Sequence, residues 1–205
     1  MKRMRHKTTQ LVLDYFNLVR DGETAPLRAD IQPQALKSVL PDVFILETNR
    51  AGGFDFRLAG TRVCAILGQE GRGTDILSYF APPQRHKMKL ATESVLANRV
   101  PLLCEVNGFV TDGDSQAYEL LLMPLRSRGD VCDRLFGSLV ACDHMPRFGD
   151  PGRILETGKL QFLHDDGARR VSVPQSPPAY AAGPQSASFA SRMRHLRLLQ
   201  GGRQD

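Results

Sequence analysis

Between residues 100 and 143 three apolar runs, at 100–110, 116–127 and 134–143, are separated only by "TDGDS" and "SRGDVCD". Parallel neighbours need a crossover of about a dozen residues or more, so runs joined this tightly must form antiparallel strands. The Gly and Asp of both connections are the residue types that turns require. In the first run Leu102, Cys104 and Val106 alternate with Leu103, Glu105 and Asn107, the period of a strand. An antiparallel meander therefore closes the ordered part of the chain.

The elements before it complete an α+β pattern. Leu11, Tyr15 and Leu18 share one helical stripe and Val12, Phe16 and Val19 its neighbour, which predicts an amphipathic helix capped by Thr8 or Thr9 and stopped by Gly22. A short helix is expected in "IQPQALKSVL", with Pro33 in its first turn and Pro41 at its end. "VFILETN" (43–49) and "FDFRLAG" (54–60), joined by "RAGG", read as a hairpin, with Phe54, Phe56 and Leu58 on its apolar face. Short helical turns follow over 61–81, then the main helix over 82–99, with Met88, Ala91, Val95 and Leu96 at helical spacing.

Beyond Asp143 the composition changes. "SVPQSPPAYAAGPQSAS" has too little apolar mass to order itself and reads as linker. The chain thus divides into a basic arm (1–7), a folded body with its leading helix (8–143), a flexible linker (144–188) and a basic amphipathic end (189–205), with Arg192, Arg194 and Arg197 beside Phe189, Met193, Leu196 and Leu199.

The formal charge of +5 sits at the two ends. The body carries 14 Lys and Arg against 17 Asp and Glu, so a nucleic-acid surface on it is not indicated. Asp14 and Asn17 interrupt the first apolar run before it could serve as an export signal, and no uninterrupted apolar stretch approaches a membrane span; a cytoplasmic location is expected. The four cysteines form no C-x-x-C pair and read as reduced, buried residues, with a Cys132–Cys142 disulfide the alternative.

"FRLAGTRVCAILGQEGRG" (56–73) ends in G-x-x-G-x-G, which invites comparison with a phosphate loop. The comparison fails on context: the glycine order is reversed, no Lys-Ser/Thr follows, and the strands after it are antiparallel. These glycines instead end short helical turns and let them pack on a sheet. Asp112, Asp114, Asp130 and Asp133 belong to turns and do not make a calcium loop. No Ser-His-Asp grouping, H-E-x-x-H or G-x-S-x-G is present, so the chain is not expected to be an enzyme or to hold a metal.

Two strands, short helical turns, a longer helix and three antiparallel strands is the order of a PAS domain. "LPDVFILE", "FDFRLAGTRV", "LGQEGRGTDI", "LLMPL" and "RLFGSLVACD", with the terminal "HLRLLQGG", resemble the single-PAS-domain (PAS_5-type) family of alphaproteobacteria. The resemblance implies a five-stranded antiparallel sheet with short helices on one face and a small cavity between them. Phe56, Leu58, Cys104, Val106 and Leu122 are the residues expected to face that cavity, where they line a ligand pocket or simply fill the core. The flavin-binding PAS branch carries a reactive cysteine where this chain has Thr74, so a flavin adduct is not expected. His86, on the main helix, is the one candidate haem ligand. No cofactor is assigned.

The resemblance further implies a regulatory protein acting by protein contact, with partners such as sensor histidine kinases and a homodimer built with the leading helix. Leu11, Tyr15 and Leu18 are the candidate contact residues there, and Arg192, Arg194 and Arg197 at the other end. Two rival readings stay open: a haem or flavin sensor, and a membrane-surface or nucleic-acid binder working through the basic ends.

Overall fold

The computed structural model describes residues 6–109, 115–143 and 154–164. Its elements are α1 (Lys7–Arg20), β1 (Val43–Thr48), β2 (Phe54–Ala59), α2 (Thr61–Leu67), α3 (Pro82–Asn98), β3 (Leu102–Phe109), β4 (Ser115–Arg128), β5 (Val131–Ala141) and β6 (Ile154–Phe162). One antiparallel sheet holds all six strands in the order β2-β1-β5-β4-β3-β6. The expected meander is β3-β4-β5, and the "RAGG" connection makes the β1–β2 hairpin.

The sheet has six strands where five were expected. The sixth lies within the stretch read as the start of a linker, and it pairs with β3 from Leu102↔Phe162 to Phe109↔Ile154. Its pattern was hidden by a bulge. Val106 pairs with Thr157 but Cys104 with Leu160, so one extra residue of β6 lies opposite Glu105 and the inward positions change from odd (Leu155, Thr157) to even (Leu160, Phe162).

Alternation along the strands gives the sheet two apolar faces, and both are covered. Phe44, Leu46, Phe56, Leu102, Cys104, Val106, Leu120 and Leu122 pack against α2, α3 and the 3-10 turn Ile76–Tyr79. Leu103, Leu121, Met123, Leu125 and Phe136 face the other way, under α1 and the segment 28–42. That segment is not the expected short helix but three 3-10 turns, Arg28–Asp30, Pro33–Leu36 and Leu40–Asp42. Two prolines within nine positions leave no room for a run of i→i−4 bonds.

α1 docks through Val12 and Phe16, both fully buried, each contributing roughly 1.5–3 kcal/mol by removal from water. Its cap is neither Thr8 nor Thr9, which lie inside the helix. His6 caps it, Nδ1 accepting from the Thr8 N–H at 3.1 Å, and Asp21 in the left-handed region closes the other end before Gly22.

The glycine stretch lies between β2 and the 3-10 turn at Ile76. Gly68 ends α2 in the left-handed conformation, φ 73°. Gly60 starts it at closest approach to the Leu40–Asp42 turn, donating its N–H to Val43 O at 2.9 Å. A charged pair locks the same junction: Asp42, buried, accepts from Arg62 Nε at 2.6 Å and from Arg62 Nη2, and this bonding raises the guanidinium above its ordinary pKa. Residues 71–75 then turn back along the free edge of β2. Gly73 N–H donates to Phe56 O, Phe56 N–H to Thr74 O, and Phe54 N–H to Asp75 Oδ1, so the edge is closed to another strand there.

Cys132 and Cys142 lie ten residues apart along one extended stretch, β5 and the residue after it. At about 3.3 Å per residue they are far beyond disulfide reach, and all four cysteines are free.

Candidate functional site

The inner face of the sheet, under α2, α3 and the Ile76–Tyr79 turn, is where the sequence expectations converge. Four of the five residues assigned to it are there: Phe56, Cys104, Val106 and Leu122 are buried in one apolar cluster. Phe56 is its centre, edge-on to Phe44 at 5.5 Å and to Tyr79 at 6.3 Å between ring centroids. Leu58 is not part of it. Ile45 pairs with Leu58 while Leu46 pairs with Phe56, so Arg57 is a bulge residue and Leu58 turns away, 43% exposed. Two pockets on the described surface, of about 330 and 200 Å³, open at the β1–β2 hairpin and between α1 and the end of β6, not on this face.

Burial governs the chemistry of Cys104. It is fully covered, its Sγ donates to Glu105 O at 3.2 Å, and desolvation pushes the thiol up to about 12. A thiol held protonated is a poor nucleophile. Cys104 should therefore resist alkylation near pH 8 in the native protein and react once denatured, as mass spectrometry of labelled protein would report. A folded pKa above the unfolded one keeps its full stability below about pH 9, and up to about 4 kcal/mol is lost as pH rises to about 12. Cys104→Ala should flatten that alkaline decline, measured by denaturant midpoints against pH.

The position corresponding to the flavin-reactive cysteine is committed elsewhere. Thr74 Oγ1 donates to Gly71 O at 2.6 Å and accepts from Tyr79 Oη at 3.0 Å, and Tyr79 Oη accepts from Gln69 Nε2 at 2.8 Å. This network ties the glycine-rich loop to the turn beneath Phe56; it holds no thiol for an adduct. His86 is exposed on α3 and does not reach the inner face, so it does not fit an axial haem ligand there. Among the described residues no group of three or more His, Cys, Asp or Glu could hold a metal ion, and Asp130 is paired with Arg99 at 2.8 Å.

Two residues that sequence reasoning passed over organise this region. Asp75 Oδ1 accepts from Leu77 N–H at 2.9 Å and from Phe54 N–H at 3.2 Å, so one carboxylate caps the 3-10 turn and fixes the β2 edge. An Asp directly before the apolar "ILSY" is the signal that could have found it. Asn49 Oδ1 accepts from Ala51 N–H and Gly53 N–H and shapes the hairpin.

The candidate contact residues divide. Leu11 and Leu18, seven positions apart on α1, are 44% and 57% exposed. Tyr15 is half-buried and packed on the body: its ring is edge-on to Phe136 at 6.5 Å and its Oη accepts from Gln32 N–H at 2.7 Å. Arg192, Arg194 and Arg197, with most of the linker, lie outside the described residues.

An antiparallel sheet with short helices and one longer helix over its inner face, entered through a leading helix on the other face, defines a PAS sensor fold. Residues 4–140 match the PAS_5 family, described as a PAS domain. The chain belongs to that family. Two solved structures are similar: the PAS domain of a protein from Colwellia psychrerythraea, at 14% identity and a TM-score of 0.41 over 54% of this chain and 97% of that one, and an RNA-binding light-oxygen-voltage receptor, at 16% identity and a TM-score of 0.39 over 56% and 34%. Likenesses this distant carry nothing about function. No curated protein sequence matches the chain. PAS domains are signalling and sensory modules, and no described helix is long and apolar enough to cross a membrane.

Proposed function

We propose that this PAS domain is a cytoplasmic, non-enzymatic regulator of the alphaproteobacterial single-PAS type that acts by protein contact, with sensor histidine kinases as its partners. The observation that carries the reading is the division of α1 into two faces. Val12 and Phe16 are sunk into the sheet while Leu11 and Leu18 stand exposed on a helix already held in place. A fixed helix with apolar residues one heptad apart suits a hydrophobic groove or a second helix.

The inner face supports contact over cofactor chemistry, because its residues pack on one another and neither Thr74 nor His86 suits a flavin adduct or a haem bond. Signal transfer would be a population shift. α1 rests on the face of β4 and β5 opposite the core under α3, so a partner favouring one docking of α1 biases the packing on both sides of the sheet. Couplings of this kind are about 1–3 kcal/mol.

The double variant Leu11→Asp with Leu18→Asp tests the reading. Both side chains are exposed, so denaturant stability should stay within about 0.5 kcal/mol per site. Added to a sensor histidine kinase from its own host, the wild-type protein should change the autophosphorylation rate severalfold and the double variant should not. Equal effects of the two proteins would remove α1 from the mechanism; dimers lost in the double variant with no kinase effect from either protein would make a second copy the occupant of this face.

A further inference from the structure

The β1–β2 hairpin holds a surface pocket of about 330 Å³ that the contact reading does not use. Its charges do not cancel. Glu47 is shared by two arginines, with Oε2 taking Arg57 Nε at 2.9 Å and Oε1 taking Arg134 Nη2 at 3.2 Å. Asp55 Oδ1 accepts from Asn49 Nδ2 at 2.7 Å. Arg50 and Arg72, on the same pocket, have no ion-pair or side-chain hydrogen-bond partner among the described residues.

Both spare arginines stand on fixed backbone. Arg50 sits in the turn that Asn49 closes, its Oδ1 accepting from Ala51 N–H at 2.9 Å and Gly53 N–H at 2.8 Å. Arg72 is bridged to Phe56, with Gly73 N–H donating to Phe56 O at 2.8 Å. Two guanidinium forks at a concave site, with Glu47 committed to Arg57 and Arg134 and Asp55 the remaining acid on the pocket, match the paired oxygens of a phosphate or carboxylate better than they match water. The volume is at the lower end of the range of about 300–1,000 Å³ for small-molecule sites.

We infer that this pocket binds a small molecule through an oxyanion, phosphate or carboxylate, gripped between Arg50 and Arg72. The site is separate from the space between sheet and helices and independent of the α1 reading. Its occupant would bridge the hairpin to the segment that closes the β2 edge, and so strengthen a contact that backbone bonds and the Asp75 carboxylate make.

Amide chemical shifts followed by NMR during titration with inorganic phosphate, citrate and adenosine monophosphate, at low ionic strength, test the inference. At least one probe should saturate shifts confined to residues 49–57 and 71–75. Arg50→Ala with Arg72→Ala should weaken that probe about tenfold or more, while Lys37→Ala, an exposed cation elsewhere, should not. Both arginines are exposed, so the remaining resonances of the double variant should superimpose on those of wild type. The tightest probe tells phosphate from carboxylate. Failure of all three to saturate these amides, or equal affinity in the double variant, overturns the inference.

Discussion

Phe56→Ala is expected to cost about 4 kcal/mol, the largest loss among the substitutions considered. The ring is buried, bridges Phe44 and Tyr79 edge-on, and stands between the sheet and the loop that returns along β2. Truncation removes its transfer free energy and leaves a void that a sheet and a helix on either side cannot close. The midpoint of urea unfolding measures the loss. Tyr79 should loosen as well, because its ring contact with Phe56 is gone while its hydroxyl stays tied to Thr74 and Gln69. A loss below about 1.5 kcal/mol would mean that the inner face has room to spare, and the cofactor reading would regain its footing.

Gly60→Ala should cost about 3 kcal/mol for the opposite reason, too much matter and not too little. A Cβ there would stand 2.3 Å from Pro41 O and 2.4 Å from Leu40 O. Both are backbone atoms in a turn held by Pro41 and the Asp42–Arg62 pair, so they cannot rotate away. α2 would have to move off the turn, stretching the Gly60 N–H bond to Val43 O. Urea midpoints again measure the change, and retention of wild-type stability would show that the approach is slack.

Phe56 also shows what was legible in the sequence. Phe56 was assigned to the inner face because strand alternation is strict up to it. One residue later the Arg57 bulge breaks the period, so the same rule that placed Phe56 misplaced Leu58. β6 escaped for the same reason: its inward residues, Leu155, Thr157, Leu160 and Phe162, change parity opposite Glu105, so each half carries only two inward positions, too few to set a period. The α1 stripes were read correctly as apolar, but periodicity does not say which stripe docks. Tyr15 lies half-buried against the body because Gln32 N–H and Phe136 are within its reach, a tertiary fact. The hairpin pocket was invisible because Arg50 and Arg72, far apart in sequence, line one pocket through the tertiary return of residues 71–75 along β2.

Regulation by contact through the exposed face of α1, as proposed, rests on Leu11 and Leu18. Quantitative affinity capture from the native host, at native abundance, compares the wild-type chain with the double variant carrying Leu11→Asp and Leu18→Asp. A sensor histidine kinase should be enriched by the wild-type protein and fall to background with the variant, whose unfolding curve should match wild type. Capture of no signalling protein, or the same proteins in equal amounts by both chains, would contradict that proposal.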